Sequence, residues 1–421
     1  MEMTSISNEM KTIGLQAKEA AAILGRLSVT EKNAALLEMA TSLEENMGAI
    51  LMANEKDIAQ ARENGLAEPL VERLTIDEAR VKGMADNIRK IARLDDPLAI
   101  TDNEWVIENG LRIGRRRVPL GVVAIIYESR PNVTADASAL TLKSGNAIIL
   151  RGGKEALNSN LAIEKAIKMG LEKTKVPLHA VQVIPKSDRI YSNELMTMND
   201  YVDCLIPRGG RNLIQTVVKN ATVPVIETGE GNDHLYIEKS ADVEMAKKIM
   251  LNSKTQRPSV CNAIETVLVD KEFAEIHLKE LMQALIEKEV EIRGDDYTTG
   301  VLPNIKTVTE EDWDTEFLSL VLAVKVVSGY EEAITHIRKY STKHSEAIVT
   351  SNYQVAQNFL NDIDAAAVYV NASTRFTDGE VFGFGGEMGI STQKLHARGP
   401  IGLEALTSYK YVIQGDGQIR G

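Results

Sequence analysis

The sequence predicts an α/β protein in which two parallel-sheet domains follow a helical lead-in, with a small hairpin and a tail set apart from both. Three observations carry that prediction. Residues 1–98 place apolar residues at helical spacing with few β-branched runs. From Gly121 onward, short apolar runs alternate with helical segments, the pattern of right-handed crossovers in a parallel sheet covered on both faces. That alternation comes in two series, which meet between Glu227 and Asn232.

The lead-in reads as helices over "GLQAKEAAAILGRL", "TEKNAALLEMATSLEENMGAILMANEKDIAQAR" and "TIDEARVKGMADNIRKIARL". In "WVIENGLRIGRRRVPLG", two strand-like runs flank Asn109-Gly110, a strong hairpin signal. The first series of strands is "GVVAIIY", "NAIIL", "AVQVI", "VDCLI" and "VPVIE". The second is "HLYIE", "AIETVLV", "LSLVLAVKVV", "SEAIVT" and "AAAVYVN". The tail "SYKYVIQGDGQIRG" ends in a strand-like run, expected to pair with the hairpin of a neighbouring subunit.

The 421 residues suffice for two or three domains, each with its own core, and 44% hydrophobic with 26% charged residues is ordinary for a globular protein. A net charge of −12 argues against general affinity for nucleic acid or for anionic membrane. The start "MEMTSISNEMKTIGLQAKEAA" lacks the basic and apolar regions of a signal peptide, and no later run reaches membrane-spanning length, so a cytoplasmic protein with reduced thiols is expected. Arg115, Arg116 and Arg117 read as a solvated edge rather than an interaction patch.

Two strands of the first series end alike, in "AIILRGGKEALNSN" and "DCLIPRGGRNLIQTV". Gly152, Gly153, Gly209 and Gly210 let the backbone approach a ligand. Helix N-termini favour an anion, and Arg151, Lys154, Arg208 and Arg211 add full charges. Neither loop is a GxGxxG or a Walker A motif, and ordinary turns with solvated arginines are the plainer alternative. A dinucleotide is the most economical ligand for two such loops on one sheet.

Only two cysteines occur. Cys204, inside the apolar run "YVDCLIPR", reads as packing. Cys261, in "TQRPSVCNAIETVLV", precedes a strand, with Lys254, Arg257 and Ser259 on the approach; positive charge there would raise the thiolate fraction. On the residues alone, packing and catalysis remain open for it. The six histidines are dispersed, show no metal-ligand spacing with cysteine and read as structural, so no metal is expected.

The stretches "GVVAIIYESRPNVTADASALTLKSGNAIILRGGKEA", "KTQRPSVCNAIETVLV", "YVNASTRFTDGEVFGFGGEMGISTQKLHARGP" and "GLEALTSYKY" resemble the aldehyde dehydrogenase superfamily, in its branch that reduces an acyl phosphate. The resemblance implies NADPH-dependent reduction of L-glutamyl 5-phosphate to L-glutamate 5-semialdehyde with release of phosphate, in proline biosynthesis. It makes Cys261 the nucleophile and Asn132, with the Cys261 backbone N–H, a candidate oxyanion donor. Arg151, Gly152, Gly153, Lys154, Arg208, Gly209, Gly210 and Glu316 are then expected to hold NADP, and Ser259, Asn371 and Arg375 the substrate. Glu227 matches the water-activating base of oxidising relatives; since water would waste the thioester, no essential role is expected for it. The resemblance further implies a homo-oligomer, with possible coupling to glutamate 5-kinase. It assigns 1–98 and 120–227 to a cofactor-binding domain, 228–390 to a catalytic domain, and 99–119 with 403–421 to oligomerisation. An oxidative aldehyde dehydrogenase and a non-catalytic dinucleotide-binding scaffold are the competing readings.

Overall fold

The computed structural model describes residues 7–420; Met1–Ile6, the start of the stretch read above for a targeting signal, and Gly421 lie outside the described residues. The chain divides into two compact units. One comprises the residues up to 228 with 383–389 and 401 onward, the other 229–382 with 390–400.

The first unit begins with helices α1 (Asn8–Leu24), α2 (Val29–Glu45), α3 (Met47–Glu63), α4 (Glu68–Leu74) and α5 (Glu78–Arg93). Ser28 and Glu31 form a reciprocal capping box at the start of α2, and Asp77 caps α5, which satisfies N–H groups that a helix start leaves open. Strands β1 (Thr101–Val106) and β2 (Arg112–Pro119) form the expected hairpin. Its turn is centred on Glu108 and Asn109, with the Gly110 N–H bonded to Ile107 O. Gly110 follows at φ 84°, so the Asn-Gly pair sits one position later than a two-residue turn would need.

A four-stranded parallel sheet of β3 (Val122–Tyr127), β4 (Ala147–Arg151), β5 (Val181–Val183) and β6 (Cys204–Arg208) follows, in the order β5-β4-β3-β6. Its crossovers carry α6 (Asn132–Lys143), α7 (Leu157–Leu171) and α8 (Arg189–Leu195), and α9 (Arg211–Asn220) leaves β6. Every residue of β3 is buried, as both-sided covering demands. The chain runs outward from β3 through β4 to β5 and then returns to the other side of β3. The β3/β6 pair is therefore the switch point, where such sheets bind ligands. "VPVIE" contributes a single bridge, Val225 to Leu205, rather than a strand; Pro224 has no N–H to extend a ladder.

The second unit opens with β7 (Asp233–Ile237), α10 (Val243–Thr255), β8 (Ile264–Asp270), α11 (Lys271–Ile286), β9 (Glu291–Gly294), α12 (Asp296–Val301) and β10 (Lys306–Thr307). It continues with β11 (Val321–Val327), α13 (Tyr330–Tyr340), β12 (Ser345–Val349), α14 (Tyr353–Asp362) and β13 (Ala367–Val370). These seven strands form a parallel sheet in the order β10-β9-β11-β8-β7-β12-β13. The edge strand β10 and its neighbour β9 are too short and polar to have stood out in the sequence. Leu235, Val267, Leu281, Leu285 and Val324 pack in one of its cores, and Tyr236, Leu268, Ile337 and Phe359 in another.

Two short strands, β14 (Ile390–Ser391) and β15 (Gly399–Pro400), pair with each other. The tail strand β16 (Thr407–Gln414) corrects an expectation. It pairs antiparallel along all eight residues with β2 of its own chain, from Thr407 opposite Pro119 to Gln414 opposite Arg112. A ladder of that length within one chain needs no second subunit. No helix among the described residues is long and apolar enough to cross a membrane.

Candidate active site

Cys261 lies in the loop between α10 and β8, half-buried, with a free thiol. Gly231, just before β7, packs so tightly against this loop that a Cβ there would lie 1.4 Å from the Cys261 carbonyl oxygen. The Cys261 backbone N–H has no protein acceptor among the described residues.

The sheet explains what faces the thiol. In the order β8-β7-β12, Asp233 opens β7 opposite Ile264, and His344 stands one residue ahead of β12. His344 is wholly buried; its Nδ1 lies 2.9 Å from Ser345 Oγ and 3.5 Å from Asp233 Oδ2. Its Nε2 is buried without a hydrogen-bond partner among the described residues. Burial pushes the imidazole toward the neutral form, but the adjacent Cys261 sulfur and Asp233 outweigh it and raise its proton affinity well above the ordinary value. Burial also raises the Asp233 carboxyl, to about 7, against the pull of His344. Ser345 Oγ continues the chain to Thr377 Oγ1 at 2.7 Å and from there to Tyr369 OH at 2.7 Å. A histidine that reads as structural in the sequence is thus placed beside the only half-buried thiol. Its signal was position, one residue ahead of a strand in "KHSEAIVT", and that becomes informative only once strand order is known.

Lys254 has the opposite history. It is fully buried and paired with Glu265, and it also donates to Ile264 O at 3.0 Å. Its charge is thus already matched by a carboxylate in the interior. Glu265 accepts the Leu318 N–H at 3.2 Å, and Glu316 accepts the Gly231 N–H at 2.8 Å, so this buried pair fixes the loop that carries Glu316. Arg375, in a short turn after β13, donates Nε–H to Gln256 Oε1 at 2.9 Å. Asn371, at φ 56°, uses both ends of its carboxamide on the Thr350 backbone, at 3.0 and 2.9 Å, which ties β13 to the end of β12. Ser259 is half-buried in the Cys261 loop.

In the first unit the two Arg-Gly-Gly loops differ. At the end of β4, Arg151 donates to Gly152 O at 3.0 Å and to Ser187 O at 2.6 Å, so its guanidinium braces the loop. A Cβ on Gly152 would meet Asn160 Nδ2 at 2.1 Å, and one on Gly153 would meet Glu155 at 2.1 Å; these glycines admit the protein's own side chains. The start of α7 is occupied: Asp57 accepts the N–H groups of Asn158 and Ser159 at 3.3 and 2.7 Å. Lys154 is exposed and makes no hydrogen bond or ion pair among the described residues.

At the end of β6, Gly210 N–H donates to Glu128 Oε2 at 3.0 Å, Gly209 packs on that carboxylate, and a Cβ on Gly210 would meet nothing within 4 Å. α9 follows directly without a side-chain cap. The start of α9 at the switch point, where Glu128 holds one N–H, and the unpaired Lys154 at the neighbouring strand are the features of this sheet suited to an anionic ligand. Asn132, at the start of α6, donates Nδ2–H to Asp136 at 3.0 Å and keeps a second amide hydrogen. Glu227 lies half-buried in the segment leaving the first unit.

The sequence profile of the aldehyde dehydrogenase family matches residues 5–311. The chain belongs to that family. Among its relatives, the γ-glutamyl phosphate reductase of Moorella thermoacetica is 55% identical over 416 residues, which cover 99% of this chain and 100% of the relative. The enzyme of that name from Carboxydothermus hydrogenoformans is 56% identical over 414 residues, covering 98% and 100%. The crystal structure of γ-glutamyl phosphate reductase from Thermotoga maritima superposes with a TM-score of 0.96 at 48% identity, covering 98% of this chain and 100% of that one. Membership of the aldehyde dehydrogenase family makes the chain an oxidoreductase, and it fits the two α/β units, the helical start and the cysteine ahead of a strand.

Proposed function

We propose that the chain reduces L-glutamyl 5-phosphate to L-glutamate 5-semialdehyde with NADPH, releasing phosphate, through a thioester on Cys261. The observation that carries this reading is the half-buried Cys261 thiol beside a buried imidazole. The name borne by relatives more than half identical over nearly the whole chain supports the substrate.

The Cys261 thiol passes its proton to His344 Nε2, and the imidazolium, held through Nδ1 by Asp233, balances the thiolate. The sulfur attacks the acyl carbon; the carbon–oxygen bond to phosphate breaks and phosphate leaves with the electron pair. The Cys261 N–H stabilises the transient oxyanion, with Asn132 the proposed side-chain donor. Bound NADPH supplies the hydride that the acyl carbon accepts. His344 then protonates the hemithioacetal oxygen, or the thiolate as the aldehyde leaves.

Gly210 and the start of α9 hold the pyrophosphate in this reading, Glu316 holds the ribose near the reacting end, and Lys154 pairs with the 2′-phosphate. Arg151 acts by bracing Ser187 and the loop. The three-stranded sheet exposes Trp105, Tyr409, Tyr411 and Ile413, which supports a homo-oligomer formed through it. A cytoplasmic place beside the kinase that makes the acyl phosphate completes the proposal.

The deciding assay runs the reaction backwards: NADP+ reduction by glutamate semialdehyde should require inorganic phosphate. Turnover independent of phosphate would favour an oxidative dehydrogenase. For cofactor choice, Lys154→Glu should move the NADPH/NADH ratio of kcat/KM toward NADH by about tenfold or more, since hydrogen bonds to charged groups contribute about 1.5–3 kcal/mol. An unchanged ratio would locate the 2′-phosphate elsewhere.

A further inference from the structure

Arg375 is stitched to both ends of the loop that carries the nucleophile. Its Nε–H donates to Gln256 Oε1 at 2.9 Å on one side. On the other, Thr374 Oγ1 donates to Asn262 O at 2.7 Å, and Asn262 Nδ2 donates to Thr377 O at 2.8 Å. Ser253 and Ser373 meet through their hydroxyls at 2.8 Å in the buried base of the same seam. The short turn of Thr374–Phe376 is thereby fixed over Gln256–Asn262, and the residue next to Gln256 is a second arginine, Arg257.

Arg375 is bonded to the residue that precedes the exposed Arg257, which brings the two cations to one stretch of the loop. Arg375 is half-buried, and burial, followed by the charge of Arg257, weakens its hold on its proton, while Cys261 and Asp378 strengthen it. Neither arginine forms an ion pair among the described residues. Asp378, the one carboxylate that acts on Arg375, accepts through Oδ1 the N–H groups of Glu380 and Val381 at 2.9 and 3.2 Å, within its own turn. Two guanidinium groups beside a nucleophile, without a carboxylate partner, form a site for a dianion that accepts several hydrogen bonds at once.

We propose that Arg257 and Arg375 bind the phosphate of the acyl phosphate. In reduction they hold the leaving group: as the bond from Cys261 sulfur to the acyl carbon forms, the carbon–oxygen bond breaks and its electron pair departs on phosphate, where both cations stabilise the charge. In the reverse direction they hold inorganic phosphate, whose oxygen attacks the thioester carbon as the Cys261 thiolate leaves. This assignment rests on the proposed reductase reading and deepens it. It makes the pair the determinant of acyl phosphate use, and it leaves the substrate's amino-acid end to other residues.

The test is the reverse assay with separate titrations of phosphate and of glutamate semialdehyde. Arg257→Gln and Arg375→Gln should each raise KM for phosphate about tenfold or more, as for losing hydrogen bonds to a charged group, while KM for the semialdehyde stays within about twofold. Arg→Lys at either position, keeping the charge without the fork, should recover part of the loss. A raised KM for the semialdehyde with an unchanged KM for phosphate would overturn the proposal and give the pair to the α-carboxylate. No change in either would overturn it too. If the parent enzyme shows no phosphate dependence, the reductase reading itself falls. Should a variant fold poorly, the parent answers alone: inorganic phosphate should slow iodoacetamide alkylation of Cys261, and glutamate at equal concentration and ionic strength should not. Equal effects of the two anions would count against a phosphate site.

Discussion

Cys204 and Cys261 are the same side chain in two settings. Cys204 opens β6, the edge strand of the first unit's parallel sheet, paired with Val123 of β3, and is buried. Burial there pushes its thiol up to about 12, with only a backbone hydrogen bond from Ile226 in opposition. Cys261 stands three residues ahead of β8, half-buried, with a buried imidazole beside it and two arginines on its loop's seam. Burial alone makes a thiol inert; a buried cation next to a thiol that reaches solvent is the setting that favours its thiolate. The difference lies in what the strand order of the second unit brings together, since cysteine itself is common to both.

The largest expected effect breaks the comparison outright. Cys261→Ala should lower kcat/KM by at least about ten-thousand-fold, the scale of removing a nucleophile, while NADPH binding, followed by its fluorescence, persists. Cys204→Ala should remain active in the same assay, and a dead Cys204 variant with intact folding would reverse the roles.

Next comes His344→Asn, expected to cost about 10²–10⁴-fold in kcat/KM, as for loss of a general acid or base. The pH profile adds a readout that a packing defect would not move. The imidazole's proton affinity is raised, so the imidazolium that balances the thiolate persists through neutral pH and is lost only as pH climbs past its elevated value. Without it, alkylation of Cys261 should need a higher pH than in the parent. Superimposable profiles would detach His344 from the thiol.

A smaller effect separates the two cations of this region. Lys254→Met leaves Glu265 buried and unpaired, and breaking such a pair costs about 3–5 kcal/mol of stability. In the folded fraction, Cys261 should alkylate at nearly the parent rate at neutral pH. A strong drop there would restore Lys254 as the charge that serves the thiol. The smallest effect is expected at Glu227→Gln, which should keep most reductase activity. A loss of about a hundredfold or more, the scale of removing a general base, would show that water or proton transfer runs through this carboxylate.

Much of this was legible in the residues. Fully buried parallel strands must be apolar runs with helices between them, and so β3, β4, β6, β7, β8 and β12 stand out as short hydrophobic words separated by amphipathic ones. Cys261 was legible as an exception, a thiol outside a strand in a basic loop. The short strand β9 and the two-residue edge strand β10 were not, because so few residues, mostly polar, leave no periodic pattern to read.

The two Arg-Gly-Gly loops show the same limit at finer grain. Alike in their Arg-Gly-Gly, they part in the fold: Asp57, about a hundred residues upstream, accepts two N–H groups at the start of α7, whereas at α9 Glu128 accepts the Gly210 N–H alone. The sequence by itself determined the helical start, the two alternating series, the place of Cys261 ahead of a strand and the glycine loops, because these depend on periodicity and on residues near one another in the chain. Only the tertiary structure decided that His344 lies beside the thiol while Lys254 pairs with Glu265, and that Arg375 bonds to the loop containing Arg257. Those choices turn on strand order and on which charges are buried together, and a residue's neighbours along the chain carry no record of either.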